Sequence, residues 1–338
     1  MTDSEAQLLT KKDYESDQAV RWCPGCGDYA VLAQTQKTMP TFGRKKEEFV
    51  FISGIGCSSR FPYYMNTFGF HTIHGRAPAI ASGVKLSNPD LSVWVVTGDG
   101  DALSIGGNHT IHLLRRNLDI NVMLFNNRIY GLTKGQYSPT SETGKVTKSS
   151  PLGSLDRPFN PLTLALGAGA TYVARTIDRE TKHMQGMISR SYEHKGTSFL
   201  EIYQNCNIFN DGAFSDLTEK ETKAETQLVL EQGEPMIFGA EKNKGLILDG
   251  SNFKVVKLGS DYNADDILKH DKEDKNLAML LSEITYNPEL PVPIGILYQE
   301  TKSTYDDMMT NQIEEAKQKN ESADLEKLFF GTNSWIVD

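Results

Sequence analysis

Cys23, Cys26, Cys57 and Cys206, the four cysteines of the chain, have the spacing that most clearly suggests chemistry. Two residues separate Cys23 from Cys26 in Cys-Pro-Gly-Cys-Gly, so both thiolates can bind one metal ion or cluster while Pro and Gly turn the backbone. Cys57 and Cys206 complete a set of four. Four sulfur ligands suit zinc or an iron–sulfur cluster, and their number does not distinguish the two. The alternative is unrelated core cysteines, because free cysteine is commonly buried.

A second group is Gly98-Asp99-Gly100-Asp101, which follows a hydrophobic run, together with Asn127, which follows the next run. Oxygen ligands from two adjacent loops, a backbone carbonyl, diphosphate oxygens and water would complete an octahedral Mg²⁺ site. Gly98 and Gly100 let the backbone approach a phosphate, and the helix expected next would present unpaired N–H groups to it. Gly-Asp-Gly alone is also ordinary turn chemistry. Its pairing with Asn127 favours the metal site.

Arg60, His74 and Lys134 are candidate catalytic residues near these motifs. Arg60 follows Cys57 by three residues and Lys134 lies in the loop after Asn127, so both could face a substrate pocket. Two cations favour a dicarboxylate, because a guanidinium pairs with carboxylate in bidentate fashion and an ammonium acts as a point charge. They could equally be solvated cations. His74 could bond a diphosphate or a reaction intermediate, or be a loop histidine with a protein partner.

The elements that must position these residues are apolar runs of strand length, rich in β-branched and aromatic residues. The predicted strands are Phe49–Ser53, Leu91–Thr97, Ile120–Phe125 and Ser198–Tyr203. The predicted helices are Ala77–Leu86, Leu103–Arg116, Pro161–Gly167 and Arg179–His194. Their alternation predicts an α/β fold with a parallel sheet covered by helices on both faces. Ligands bind beyond the carboxyl ends of such strands, where nearly all the motifs lie.

The last third of the chain differs in composition from the rest. Residues 1–218 contain 22 Lys and Arg against 20 Asp and Glu, whereas residues 219–338 contain 13 against 24. We therefore predict a cofactor-binding domain over 1–218 and an irregular, acidic C-terminal extension over 219–338 that wraps the core or a partner. No catalytic motif is recognisable in the extension.

The overall composition excludes several classes of protein. Of the 338 residues, 38% are hydrophobic and 23% are charged, which is typical of a folded protein of enzyme size. A net charge of −9 lacks the basic surface that binding to nucleic acid requires. No apolar run approaches the roughly 18 to 20 residues of a membrane-spanning helix, and the first residues are polar and acidic. We expect no membrane partner and a cytoplasmic location.

These motifs, taken together, resemble those of a known family. Gly98-Asp99-Gly100 with Asn126-Asn127 resembles the thiamine diphosphate motif. The Cys-Pro-Gly-Cys-Gly run at 23–27 resembles the β subunits of the 2-oxoacid:ferredoxin oxidoreductases, particularly the 2-oxoglutarate type. The resemblance covers residues 15–215, including segments 54–58, 74–77 and 130–136, and fades in the last third.

The resemblance implies a set of ligands for each bound group. Cys23, Cys26, Cys57 and Cys206 would hold one [4Fe–4S] cluster. Asp99, Asn127 and the carbonyl of Ile129 would bind Mg²⁺. Thiamine diphosphate would be surrounded by Ile55, Gly56, Cys57, Ser58, His74, Gly98, Gly100, Asp101, Asn127, Gly131 and Leu132. Cys57 would then belong to two sites, with the cluster close to the reacting carbon.

The activity implied is oxidative decarboxylation of 2-oxoglutarate with coenzyme A to succinyl-CoA and CO₂, with electrons passing through the cluster to ferredoxin. The alternative substrate is pyruvate or another 2-oxoacid. Members of this family also use a glutamate from a second, pyrimidine-binding domain, which we do not find in the sequence. The chain is therefore expected to act only with an α subunit, in an α₂β₂ heterotetramer.

Two other functions fit parts of the pattern. One is a thiamine diphosphate decarboxylase or synthase without redox chemistry, whose cysteines bind structural zinc. The other is a nonenzymatic subunit that binds a Mg²⁺-nucleotide through Gly-Asp-Gly and zinc through the cysteines. Both require the cysteines and the Gly-Asp-Gly motif to share one edge of the sheet by accident.

Overall fold

Strands and helices alternate through most of the chain, and the computed structural model describes residues 9–259, 261–319, 324–331 and 333–337. The strands are β1 (Phe49–Ser53), β2 (Phe68–His71), β3 (Ser92–Gly98), β4 (Ile120–Asn126), β5 (Tyr172–Ile177), β6 (Ser198–Tyr203), β7 (Gln227–Leu230), β8 (Ile237–Phe238), β9 (Lys244–Asp249), β10 (Asn252–Lys257) and β11 (Val292–Gln299). The α-helices are α1 (Asp28–Thr38), α2 (Phe61–Tyr64), α3 (Ala77–Ser87), α4 (Asp99–Leu103), α5 (Gly107–Arg116), α6 (Pro161–Gly167), α7 (Thr181–Glu193), α8 (Ser215–Thr218), α9 (Lys223–Thr226), α10 (Lys275–Glu283), α11 (Tyr305–Lys319) and α12 (Leu325–Phe330). None of the helices in these ranges is both long and apolar enough to cross a membrane.

The main sheet has eight strands in the order β2-β1-β3-β4-β6-β5-β11-β7. Its pairings are parallel except for the antiparallel pairing of β11 with β5. The strands β1, β3, β4 and β6 are consecutive neighbours. The loops that follow their carboxyl ends therefore meet at one edge of the sheet, as a ligand site in an open α/β sheet requires.

Alternate residues of the central strands enter two hydrophobic cores, one on each face of the sheet. Val93 and Val95 of β3 pack with apolar residues of α3, α5, α6 and α10. Trp94 and Val96 pack on the opposite face with residues of α1 and α7. Both faces are buried, so these strands are apolar at nearly every position. The predicted α/β fold with helices on both faces is confirmed.

The strongest sequence patterns predicted element bounds well. Phe49–Ser53, Ser198–Tyr203 and Pro161–Gly167 are confirmed to the residue. Strands β2 and β5 were not predicted. All four residues of β2 are exposed at the edge of the sheet, and β5 contains a fully buried Arg175, so neither has a simple apolar pattern.

The predicted helix Leu103–Arg116 is interrupted, since α4 ends at Leu103 and α5 begins at Gly107. Gly106 lies at the break, and its N–H donates to the carbonyl of Asp101 at 3.1 Å. A Cβ atom at Gly106 would lie 2.3 Å from that carbonyl oxygen and 3.0 Å from Cα of Gly75. The glycine therefore allows α4 to pack against the loop that carries His74.

The C-terminal third contributes to the main sheet, in which β11 and β7 hold the last two positions. The strands β8, β9 and β10 form a separate antiparallel sheet. The region therefore contains regular strands within an extension that was predicted to be irregular. Pro293, which suggests a break, lies inside β11 and pairs with Leu228. The main sheet therefore includes strands from both sides of residue 218. The division of the chain at that residue stays a prediction.

A buried ion pair ties the C-terminal third to the centre of the sheet. Arg175 Nε donates to Glu201 Oε2 at 2.7 Å, and both side chains are wholly buried. Arg175 Nη1 also donates to Thr285 Oγ1 and to the carbonyl of Pro293. The other carboxylate oxygen of Glu201 accepts from Asn126 Nδ2 at 2.7 Å. One hydrogen-bonded network therefore runs from β11 to the end of β4.

Candidate active site

A cavity of about 420 Å³, here called the strand-end cavity, lies where β1, β3 and β4 end. Its lining residues are Asp28, Ile55, Gly56, Cys57, Ser58, His74, Gly98, Asp99, Gly100, Asp101, Phe125, Asn127, Ile129, Tyr130, Gly131, Leu132, Thr133 and Gln136. The structure thus brings together every residue predicted to surround thiamine diphosphate. It also brings together the three predicted Mg²⁺ ligands, Asp99, Asn127 and Ile129.

Asp99 is held in place from behind by two hydroxyl groups. Ser138 Oγ and Thr140 Oγ1 donate to its Oδ2 at 2.5 and 2.6 Å. Burial raises the pKa of the Asp99 carboxyl to about 6, against the opposing effect of these hydrogen bonds. A divalent cation would favour the ionised form. Asp99 therefore has the fixed orientation and the need for a positive partner that suit a metal ligand.

Asn127 is oriented by hydrogen bonds at both ends of its side-chain amide. Its Oδ1 accepts the main-chain N–H of Ile129 at 3.1 Å, and its Nδ2 donates to Gln204 Oε1 at 3.0 Å. The first bond, from a main-chain N–H two residues further on, closes the tight turn that asparagine side chains commonly form. An amide oxygen has two lone pairs, so Oδ1 can accept this bond and still bind a cation.

Asp101 lies at the cavity wall, but its carboxylate is already engaged by protein groups. Oδ1 accepts the N–H groups of Ile55 and Gly75 at 3.1 and 2.7 Å and lies 2.5 Å from His74 Nδ1. Oδ2 accepts the hydroxyl of Thr97 at 2.7 Å. Asp101 therefore ties the loops after β1 and β2 to α4, and it orients His74 instead of offering an unpaired charge to a ligand.

Gly100 shows why one glycine of the Gly-Asp-Gly motif is needed. A Cβ atom there would lie 2.1 Å from the ring of Tyr130, whose hydroxyl donates to the Gly100 carbonyl at 3.0 Å. The absence of a side chain lets Tyr130 close this side of the cavity. The constraint at Gly100 is thus close packing against an aromatic ring, in addition to any approach by a phosphate.

A second cavity, here called the thiol cavity, has a volume of about 200 Å³. Its lining residues are Arg21, Trp22, Cys23, Cys26, Cys57, Arg60, Asn127, Gly131, Leu132, Lys134, Gln204, Cys206, Asn207, Ile208 and Phe209. All four cysteines are unpaired and lie on it. No three His, Cys, Asp or Glu side chains within the described ranges converge closely enough to hold a single metal ion. The thiols surround a space instead of meeting at one point.

The two cavities share a wall made by Cys57, Asn127, Gly131 and Leu132. At Gly131 a Cβ atom would lie 3.4 Å from Cys57 Sγ and 3.5 Å from Cys206 Sγ. Any larger residue would reach between the two sulfurs. Gly131 therefore keeps the boundary between the cavities thin.

Cys26 and Cys57 are weak acids in this setting. Burial, followed by the charge of Asp28, raises the pKa of Cys57 to about 12 and shifts that of Cys26 further in the same direction. Thiolates are the form that binds metal, so binding must displace these protons. A positively charged metal centre would stabilise the thiolates and so offset the cost of removing these protons.

The three candidate catalytic residues divide between the cavities. His74 lines the strand-end cavity, whereas Arg60 and Lys134 line the thiol cavity. Lys134 has a left-handed backbone, with φ of 78°, next to Gly135. The two cations thus lie beyond the shared wall and not around the strand-end cavity itself.

Comparison with known proteins identifies the family. The thiamine pyrophosphate enzyme C-terminal TPP-binding domain matches residues 54–202. The 2-oxoglutarate oxidoreductase subunit KorB of Mycobacterium tuberculosis is 51% identical over 97% of this chain and 88% of its own length. The 2-oxoacid:ferredoxin oxidoreductase β subunit of Saccharolobus solfataricus is 36% identical over 84% of each chain. This chain is a 2-oxoacid:ferredoxin oxidoreductase β subunit.

The similarity of this β subunit extends to its three-dimensional structure. A 2-oxoglutarate:ferredoxin oxidoreductase from Magnetococcus marinus, solved with 2-oxoglutarate, coenzyme A and succinyl-CoA bound, matches with a TM-score of 0.78. The two chains are 32% identical, and the match covers 96% of each. The resemblance noted in the sequence is confirmed. A β subunit also implies at least one partner subunit in the complete enzyme.

Several residues around the sites of this β subunit were not predicted from its sequence. Ser138 and Thr140 orient Asp99, and the run Ser-Pro-Thr-Ser at 138–141 after a predicted loop is the only signal that could have indicated them. Gln204, at the end of β6, touches both Asn127 and Cys26. No pattern in the sequence indicates these contacts.

Asp28 of the β subunit was also missed. Its side chain is 1% exposed and lines the strand-end cavity, and neither carboxyl oxygen has a hydrogen-bond partner among the described residues. Burial raises the pKa of Asp28 to about 7. The only sequence signal that Asp28 lies at the site is its position directly after the Cys-Pro-Gly-Cys-Gly motif.

Proposed function

We propose that this chain is the β subunit of a 2-oxoglutarate:ferredoxin oxidoreductase. The complete enzyme converts 2-oxoglutarate and coenzyme A to succinyl-CoA and CO₂ and passes two electrons to ferredoxin. The observation that carries the proposal is the wall shared by the two cavities, of which Cys57 is a part. A redox centre held by the thiols would lie beside the cofactor on which the substrate reacts.

The strand-end cavity fits thiamine diphosphate and Mg²⁺. Asp99, Asn127 and the carbonyl of Ile129 would bind Mg²⁺, which commonly takes few protein ligands and fills its octahedron with phosphate oxygens and water. The hydroxyl groups behind Asp99 and the tight turn at Asn127 support this assignment. Thiamine diphosphate, when bound, supplies a nucleophilic carbon and an electron sink. His74, oriented by Asp101, would donate to or accept from groups at the mouth of the cavity.

The thiol cavity fits a [4Fe–4S] cluster held by Cys23, Cys26, Cys57 and Cys206. The four thiols line a cavity of about 200 Å³, a space more suited to a cluster than to a single ion. Four thiolates are the usual ligands of such clusters. Cys206 is buried, Cys26 and Cys57 are half-buried and Cys23 is exposed, so the protein would shield a cluster from water on one side only. Solvent exposure is one of the factors that set the reduction potential of a cluster.

The complete enzyme would contain an α subunit, in an α₂β₂ arrangement, and would use ferredoxin as electron acceptor. The α subunit would supply the pyrimidine-binding domain and its glutamate. We also infer a cytoplasmic location, because four free cysteines suit a reducing compartment. The net charge of −9 argues against nucleic acid as a partner, and no membrane partner is proposed.

The preference for 2-oxoglutarate would come from Arg60, with Lys134 as a second cation. Because both residues line the thiol cavity, the distal carboxylate would have to extend past the shared wall to meet them. We expect Arg60→Leu in the assembled enzyme to reduce kcat/KM for 2-oxoglutarate by roughly ten-fold or more, because a hydrogen-bonded contact to a charged group is lost. Turnover of pyruvate, which lacks the distal carboxylate, should change little. Steady-state kinetics with both substrates checks this. Arg116→Leu, at an exposed position on α5, is the control, and equal losses for both substrates in Arg60→Leu would exclude the role.

The proposed function is tested on the β subunit produced without oxygen together with its α subunit. Iron, acid-labile sulfide, zinc and thiamine diphosphate are measured, and the visible spectrum is recorded before and after adding 2-oxoglutarate and coenzyme A. We expect iron and sulfide with absorption that bleaches on addition of substrate. Loss of these signals in Cys57→Ser would locate the cluster on this chain. A colourless, zinc-containing complex, or iron that persists in Cys57→Ser, would overturn the cluster assignment.

A further inference from the structure

Gln204 occupies a position between the two cavities. It follows β6 directly, its side chain is 1% exposed, and it lines the thiol cavity. Its main-chain N–H donates to the carbonyl of Asn126 at 3.0 Å, which anchors it beside the end of β4. A buried, uncharged amide in this position must satisfy its hydrogen bonds within the protein.

The side-chain amide of Gln204 has only one possible orientation. Its Nε2 lies 2.6 Å from the main-chain carbonyl oxygen of Asn205, which can only accept, so the nitrogen must face that group. The same Nε2 lies 3.3 Å from Cys26 Sγ. Oε1 therefore points the other way, where it accepts from Asn127 Nδ2 at 3.0 Å.

This orientation determines which atom Asn127 can offer to a cation. At the far end of the Asn127 amide, the main-chain N–H of Ile129 can only donate, and it bonds Oδ1. Two main-chain groups, the Ile129 N–H and the Asn205 carbonyl, thus fix the direction of the whole chain of hydrogen bonds. A flip of the Asn127 amide would place an N–H group against the Ile129 N–H and an oxygen against Gln204 Oε1. Asn127 must keep its oxygen on the side of Ile129.

At the other end of this series of hydrogen bonds, Gln204 contacts the sulfur of Cys26. A hydrogen bond donated to a cluster thiolate stabilises the reduced, more negative state, and such bonds are among the factors that set the reduction potential. Gln204 Nε2 is in position to donate to Cys26 Sγ. Residues that hydrogen-bond to metal ligands orient those ligands and are often as important to the site as the ligands themselves.

We propose that Gln204 is a shared positioning residue, which orients Asn127 for Mg²⁺ through its oxygen and tunes the cluster through its nitrogen. The inference rests on the proposed function, since it assumes that Asn127 binds Mg²⁺ and that Cys26 binds the cluster. It adds that a single buried amide serves both sites. A change at Gln204 must therefore alter two measurable properties, which a merely structural residue would not do selectively.

Two variants separate the oxygen from the nitrogen. Gln204→Met has a similar size and removes both contacts. Gln204→Glu keeps an acceptor for Asn127 and replaces the donor to Cys26 with a charged oxygen, which also faces the Asn205 carbonyl. The control is Gln36→Met, since Gln36 is also buried and donates to the main-chain carbonyl of Tyr64 outside both cavities. All are measured as complexes with the α subunit that contain the cluster but have been freed of thiamine diphosphate and Mg²⁺ before titration.

The two readouts are the Mg²⁺ concentration that half-saturates thiamine diphosphate binding, followed by calorimetry, and the cluster midpoint potential, followed by EPR. For Gln204→Met we expect roughly 10- to 100-fold more Mg²⁺ to be needed, as is typical of changes behind a metal ligand, and a more negative potential. Gln204→Glu should keep a Mg²⁺ requirement near that of the wild type but show the more negative potential. Gln36→Met should change neither.

Wild-type values for both properties in Gln204→Met would overturn the inference, as would an equal rise in Mg²⁺ requirement in Gln204→Met and Gln204→Glu. If Gln204→Met does not fold, Gln204→Leu, which also lacks both polar atoms and carries no charge, replaces it in both measurements. A wild-type complex without a cluster or without bound thiamine diphosphate overturns the proposed function itself, and is distinguished because it is detected before any variant is made.

Discussion

Asp99→Asn should abolish Mg²⁺-dependent binding of thiamine diphosphate while leaving the chain folded. Ser138 and Thr140 can turn their hydroxyl groups to suit an amide, so the loop should persist. The negative charge that attracts the cation is lost, however. Because changes even behind metal ligands cost about 10- to 100-fold in affinity, loss of the ligand itself should cost at least that. Calorimetric titration with thiamine diphosphate at several Mg²⁺ concentrations measures the effect.

The control for Asp99→Asn is Asp90→Asn, which makes the same chemical change at an exposed position after α3. Circular dichroism establishes whether both variants are folded. Retention of wild-type affinity and wild-type Mg²⁺ dependence in folded Asp99→Asn would exclude Asp99 as a Mg²⁺ ligand.

Arg175→Met should be the most destabilising of the substitutions considered. Removing one partner of a buried ion pair leaves an uncompensated charge and costs about 3 to 5 kcal/mol. Glu201 would keep only its bond from Asn126, and Thr285 and Pro293 would lose their donor. Urea unfolding of the full chain measures the fall in the free energy of unfolding through the midpoint concentration.

Two further variants show whether a loss of stability in Arg175→Met comes from the buried charge of Glu201. Arg179→Met removes an exposed ion pair with Glu219, and surface pairs contribute about 0 to 1 kcal/mol. Arg175→Met combined with Glu201→Leu removes both charges and should recover part of the stability. If Arg175→Met costs no more than Arg179→Met, the buried network does not tie the C-terminal third to the sheet.

The features of the fold and the site that could be predicted from the sequence depend on interactions within short segments of the chain. Val50 and Ile52 alternate with Phe49 and Phe51 on opposite faces of a fully buried strand, so β1 is a continuous apolar run. Gly-Asp-Gly after such a strand suggests a site for Mg²⁺ and phosphate, whatever the rest of the fold. Placement at the strand ends follows from the rule for parallel sheets. The strand-end cavity could therefore be anticipated from short segments.

The parts that could not be predicted depend on contacts between distant segments. Gln204 bonds Asn127 only because β4 and β6 are neighbours in the sheet, an order that the sequence does not reveal. Ser138 and Thr140 reach Asp99 from a long loop without periodicity. Arg175 looks unsuited to a central strand until its partner Glu201 is known. Side-chain pairs of this kind carry no local signature.

The position of β11 has a consequence for how the chain folds during synthesis. β11 lies between β5 and β7, and β7 pairs in the main sheet with β11. Until residue 299 has left the ribosome, β7 has no place in the sheet and β5 presents an open edge. Unpaired edges invite association with other chains. A nascent or prematurely terminated chain that stops before β11 should therefore need protection by chaperones, even though every residue proposed to bind a cofactor has already been made.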